Sequence, residues 1–154
     1  MRLRILSVGK PDRGRLAELF EDYVERVRRF TIEVEVSWVA EVRAGGKFSD
    51  AHVREREARA LRAALPDRTR AIALSPEGQC LTSEQFAERL ARWSTPSAAF
   101  LVGGPLGLDP ALVRGADAVV SLSTMTLPHE LARVVLAEQL YRAVTILKRV
   151  PYHK

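Results

Sequence analysis

The stretch from Ala98 to Lys154 constrains the fold more than any other part of the chain. Ala99-Phe100-Leu101-Val102 is an apolar run of strand length that stops at Gly103-Gly104-Pro105-Leu106-Gly107-Leu108. Asp109-Pro110 then reads as an N-cap with a first-turn proline, the opening of a short helix. Ala118-Val119-Val120-Ser121-Leu122 repeats the apolar run, stops at Ser123-Thr124-Met125-Thr126-Leu127-Pro128-His129, and leads into a long helical pattern. A strand-length run, a turn and a helix, twice in succession, spell a parallel α/β sheet. Ligands of such sheets bind beyond the carboxyl ends of the strands. Between Leu101 and Pro128 only Asp109, Arg114 and Asp117 are charged, so a pocket made by these loops works through backbone groups.

The upstream chain continues the pattern. Leu3 to Val8 reads as a buried strand ended by Gly9-Lys10-Pro11, and Leu16, Leu19, Phe20, Tyr23, Val24 and Val27 then recur at helical spacing. Thr31 to Trp38 alternates polar and apolar, which predicts a strand wet on one face and near a sheet edge. Trp38 shares the apolar side with Ile32, Val34 and Val36 and is expected in the core rather than stacked on a base. Ser49 is the expected N-cap of a helix that Pro66 closes, with His52 exposed on it. Arg43 to Arg70 holds eight Lys/Arg against four acids, in part a solvated face laced by pairs such as Glu55-Arg59. Ala71 to Leu74 is the next strand, ended by Ser75-Pro76-Glu77-Gly78, and Thr82-Ser83-Glu84-Gln85 is a capping box for a helix that turns Phe86 and Leu90 to the sheet.

The last helix is expected from about Pro128 to Lys148 and is apolar at 12 of the 17 positions from Leu131 to Leu147. A helix apolar nearly all round is covered on both sides, by its own sheet and most simply by a second copy of the chain. Arg133 and Arg142 lie nine residues apart and point to opposite sides of it. His129 is expected to cap or pack at its start. Residues 129 to 154 carry five Lys/Arg against two Glu and end in Tyr152-His153-Lys154, a basic, aromatic tail suited to clamping RNA at a dimer seam.

At 154 residues the chain is one domain by length. Cys80 is the only cysteine and has no ligand cluster around it, so neither a disulfide framework nor a metal site is expected. The basic residues at the start precede an apolar stretch too short for a signal core, and no run reaches membrane-span length, which predicts a cytoplasmic protein without a membrane partner. The net charge of +5 is nearly all arginine in origin and biases the partner toward nucleic acid. No stretch has the Walker spacing, the glycines after Val102 miss the dinucleotide fingerprint, no serine sits in a nucleophile elbow, and no carboxylate pair stands in apolar surroundings. What is left is a transferase whose cofactor carries the chemistry.

Four segments taken together then resemble a known family: Phe100 to Leu108, Leu122 to His129, Arg133 to Ala143, and Tyr152-His153-Lys154. In this order they are similar to the large-subunit ribosomal RNA pseudouridine N3-methyltransferases, the minimal single-domain α/β-knot (SPOUT) methyltransferases. The resemblance runs from Val8-Gly9-Lys10 to the last residue. It implies one α/β domain over residues 1–154, with a mostly parallel sheet, helices on both faces and a C-terminal trefoil knot, an exception to the rule that chains avoid knots. It implies S-adenosylmethionine as cofactor, held by Leu74, Gly103, Leu122, Ser123, Thr124, Met125, Thr126 and Leu127, and no metal. It implies a homodimer acting on 23S ribosomal RNA in the assembled ribosome, with Arg142, Tyr152 and His153 as catalytic candidates and His153 as proton acceptor, since free histidine titrates near pH ~6.5. A tRNA base or ribose methyltransferase, and a non-catalytic RNA-binding module of ribosome assembly, are the alternative readings.

Overall fold

The five strands among the described residues, 1–43 and 45–154 of a computed structural model, join one parallel sheet in the order β2-β1-β4-β3-β5. In chain order the elements are β1 (Arg2–Val8), α1 (Arg15–Arg28), β2 (Glu33–Val39), α2 (Asp50–Ala64), β3 (Thr69–Cys80), α3 (Ser83–Trp93), β4 (Ser97–Val102), α4 (Pro110–Arg114), β5 (Ala118–Ser121) and α5 (His129–Leu147). Period-two alternation splits each strand between two faces. Leu3, Ile5, Phe100 and Ile72 face the layer formed by α1, α3 and α5, while Leu6, Val8 and Leu101 face α2 and α4 through Ala58, Leu61 and Leu112. Register carries one apolar row straight across the sheet, Val36–Ile5–Phe100–Ile72–Ala118. Central β4 is buried along its length, and full burial of a side chain such as Phe100 or Leu101 contributes about 1.5–3 kcal/mol.

The helix starts follow from local chemistry. Ser49 accepts from the His52 amide, Thr82 and Gln85 form the reciprocal capping box, and Asp109 accepts from the Ala111 and Leu112 amides ahead of Pro110. Phe86 and Leu90 are buried against the sheet, where Phe86, Trp93 and Phe100 meet edge-on or tilted at 6.0–6.4 Å.

Four sequence expectations are corrected. The second strand begins at Glu33, because Thr31 takes a left-handed φ of 61° in the turn after α1. β3 does not end at Leu74 but runs to Cys80 through an irregular ladder with β5. Trp38 is 47% exposed, because burial along its row of the edge strand fades from Ile32 and Val34 through Val36 to the open end of β2. Leu16 and Leu19 are also exposed, leaving Phe20, Val24 and Val27 as the buried face of α1.

Helix α5 is flanked by α1 and α3, so the chain's own helices supply much of the cover that the apolar pattern demands. A row along its outer side, Leu131, Val135, Glu138 and Arg142, stays only half-buried. No helix among the described residues is long and apolar enough to cross a membrane.

Candidate active site

The carboxyl ends of β3, β4 and β5 open onto a cleft of about 980 Å³. Three loops wall it, each shaped by its own sequence. Val120 pairs with both Leu74 and Gln79, so residues 75–78 loop out of the β3 ladder and bring Ser75, Pro76 and Glu77 to the first wall. Gly78 makes this loop compatible with β5, because a Cβ there would fall 2.5 Å from the Val120 carbonyl carbon. The second wall is the glycine turn after β4, where the Gly107 amide donates to the Gly104 carbonyl at 3.0 Å and Gly107 adopts φ +76°. A Cβ on Gly103 would stand 2.7 Å from the Gly107 carbonyl carbon, so backbone packs there where a side chain cannot. In the third wall Ser121 Oγ donates to the Ser123 carbonyl at 2.8 Å, and the Met125 amide donates to Ser123 Oγ at 2.9 Å.

These walls place Leu74, Gly103, Leu122, Ser123, Met125, Thr126 and Leu127 around one space. Thr124 belongs to the same loop but lies outside the lining, and Met125 stands at the lip with 77% of its surface exposed. His129 lines the cleft at the start of α5, together with Ala132 one turn on. The charged side chains of the lining are Glu77 and Arg114, so the interior is otherwise apolar side chain, hydroxyl and backbone. The strand-end loop had hidden Glu77 from sequence reading, because residues 75–78 look like a plain turn.

Arg142, Tyr152 and His153 form a separate cluster. Arg142 follows His129 by thirteen positions on α5, about 20 Å along the axis at about 1.5 Å per residue. There Arg142 pairs with Glu138 at 2.6 Å, and its guanidinium carbon lies 4.7 Å from the Tyr152 ring centroid. Tyr152 Oη donates to Glu138 Oε1 at 3.1 Å, and its ring meets Tyr141 edge-on at 4.7 Å. Burial, then hydrogen bonds to Tyr23 and Glu138, push the Tyr152 phenol well above its ordinary range, so it is a donor at neutral pH. His153 Nδ1 lies 3.3 Å from Arg142 Nη1, and Nε2 lies 2.8 Å from Glu84 Oε1. Arginine only donates, so these contacts assign Nδ1 as acceptor and Nε2–H as donor to Glu84. Glu84 falls from the ordinary 4.5 to about 2, held by its own backbone amide, then by His153 and Thr82. Glu138 and Glu84 organise the cluster; the i,i+4 spacing of Glu138 and Arg142 could have pointed to the first, while the capping box that contains Glu84 does not tie it to the tail.

Arg133 points the other way, as its spacing from Arg142 predicts. It is buried, and its Nη2 donates to the carbonyls of Val8 and Gly9, tying the end of β1 to the start of α5. Desolvation lowers its pKa from the ordinary value, opposed by Glu130, Asp12 and Glu41. Cys80 is exposed and free, and the described residues hold no group of three His, Cys, Asp or Glu side chains that could grip a metal.

Comparison with known proteins places this architecture. A family described as predicted SPOUT methyltransferase matches residues 1–153. A protein of Anaeromyxobacter sp. (strain Fw109-5) named ribosomal RNA large subunit methyltransferase H is 44% identical, and the alignment covers all of both chains. Proteins of the same name from Gemmatimonas aurantiaca and Bifidobacterium animalis subsp. lactis are 43% and 40% identical, again over the whole of both chains. A family match that spans nearly the entire sequence, with full-length relatives at this level of identity, shows that the chain belongs to the SPOUT methyltransferases.

Proposed function

We propose that the chain is an S-adenosylmethionine-dependent methyltransferase that works as a homodimer and methylates N3 of a pseudouridine in the 23S RNA of the assembled ribosome. The observation that supports this reading is the spacing of two features on one chain, a nearly uncharged cleft at the start of α5 and a polar cluster about 20 Å further along it. Two copies with their α5 helices antiparallel set the tail of each beside the cleft of the other. The half-buried row Leu131, Val135, Glu138 and Arg142 is the seam such a pairing would cover. The RNA class comes from the relatives, whose name assigns them the large-subunit ribosomal RNA.

The lining fits the cofactor. Leu74, Leu122 and Leu127 offer apolar faces for an adenine, the bare backbone at Gly103 allows close approach, and Glu77 complements a cationic ligand that needs no basic cradle. In this reading the segments that wall the cleft are threaded into the trefoil knot. When bound, S-adenosylmethionine supplies an electrophilic methyl group. The imide nitrogen of the RNA base attacks only after losing its proton. His153 Nδ1 accepts that proton, with the base taking over the contact now made by Arg142. Arg142 keeps its charge beside the anion, Tyr152 donates a hydrogen bond, and alignment of the two reactants supplies the larger share of the rate.

Calorimetry with S-adenosylmethionine, followed by methyl-acceptor assays on ribosomes, free large-subunit RNA and tRNA, tests the proposal. Saturable cofactor binding with label on ribosomes is expected, and no label on ribosomes that lack the pseudouridine. Absence of cofactor binding would leave an RNA-binding module. Label confined to tRNA would refute the substrate assignment.

A further inference from the structure

Trp38 is a large indole left in solvent at the open end of an edge strand, with the Lys10 ammonium 5.6 Å from its ring centroid. In a parallel sheet all loops that leave strand carboxyl ends emerge on one edge. The loop after β1, with Lys10 and Arg13, and the loop after β2, with Arg43 and Lys47, therefore flank the cleft. Contact joins them to it: Arg133 binds Val8 and Gly9 to the start of α5, and the Gly9 amide donates to the Val39 carbonyl at the end of β2 at 2.8 Å. Beyond the second loop, Phe48 stacks on His52 at 4.8 Å, with the Arg56 guanidinium carbon 4.9 Å from its ring.

Lys10, Arg13, Arg43, Lys47 and Arg56 make no ion pair among the described residues, whereas Arg2 and Arg4, toward the amino ends of the same strands, pair with Glu33 and Glu35. Asp12, Glu41 and Asp50 share the strip and are outnumbered. Unpaired cations interleaved with exposed aromatic faces match single-stranded RNA, whose phosphates seek the cations while any base can stack on a ring. A protein partner would not need this pairing of rings with free cations.

We infer that this rim is the RNA-docking surface beside the cleft, with Trp38 stacking an unpaired base next to the target nucleotide and Lys10 meeting its phosphate. The inference rests on the proposed ribosomal RNA substrate and adds the residues that hold it. Binding of the purified protein to assembled ribosomes, by co-sedimentation, and to tRNA, by filter binding, over a salt series, reads it out. Trp38→Ala should weaken RNA binding roughly ten-fold and Trp38→Phe should restore most of it, since stacking needs only a ring. Lys10→Ala should lower the slope of log affinity against log salt by about one. Arg2→Ala should change neither, and S-adenosylmethionine affinity should stay at the wild-type value in all four variants. Wild-type binding to neither RNA would overturn the ribosomal substrate and this surface with it. Undiminished binding by both Trp38→Ala and Lys10→Ala would overturn the surface alone, and equal losses against tRNA would support the surface while moving the substrate.

Discussion

Gly103 has backbone where a side chain would have to go, with the Gly107 carbonyl carbon 2.7 Å and the Leu108 nitrogen 2.9 Å from a built Cβ. Backbone cannot swing aside as a flexible side chain can, so Gly103→Ala should displace the glycine turn. The expected result is a loss of S-adenosylmethionine affinity of about ten-fold or more by calorimetry, with a destabilisation of about 1–3 kcal/mol by urea unfolding. Glu84 makes a prediction in pH. Its folded pKa is depressed to about 2 from the ordinary 4.5, so its support for the α3 start and the tail is present above pH 4.5 and is lost as pH falls toward 2. The NMR signals of the Tyr152 and His153 rings should move toward those of an unstructured chain over that interval in the wild type. In Glu84→Gln they should stand there already at neutral pH, and identical profiles for the two proteins would contradict the contact.

At the scale of elements, α5 serves three neighbours at once. Its sheet-side residues Leu136, Leu140 and Val144 are buried, α1 and α3 flank it, and its outer row remains half-open. Leu140→Ala should cost about 2–5 kcal/mol in urea unfolding through transfer and cavity terms, without changing which RNA is methylated. Truncation after Val150 removes Tyr152 and His153 but no residue of the cleft. Methyl transfer should then be abolished while cofactor affinity stays within about two-fold, as expected when an interaction acts on the reaction and not on ground-state cofactor binding. Helix starts were legible in sequence because caps are local: Ser49, Thr82 and Asp109 each act within three residues. The extension of β3 past Leu74 was not, because it depends on which residue of β5 lies opposite, and a proline with a glycine two residues later looks locally like a stop.

For the whole molecule, the parallel sheet could be anticipated because buried strands and turn-rich loops recur in register with helices. The outward position of Trp38 could not, since period-two alternation fixes which face a residue takes but not whether anything covers that face at a sheet edge. The same limit applied to α5, whose apolar pattern called for cover without saying that α1 and α3 would provide much of it. The cleft loops and the tail were both readable as special, and the helix expected between them already set them about 20 Å apart. On the proposed reading that separation makes the working unit two chains, and mixing two variants at a cofactor concentration where neither works alone tests it most directly. A Gly103→Ala chain lacks a working cleft and a chain truncated after Val150 lacks the tail, but a dimer of one with the other has one intact site built from both. Random mixing in equal amounts should restore methyl transfer to about a quarter of the wild-type rate. If the mixture stays inactive although the two variants form mixed dimers, the tail does not complete a partner's cleft and the account fails.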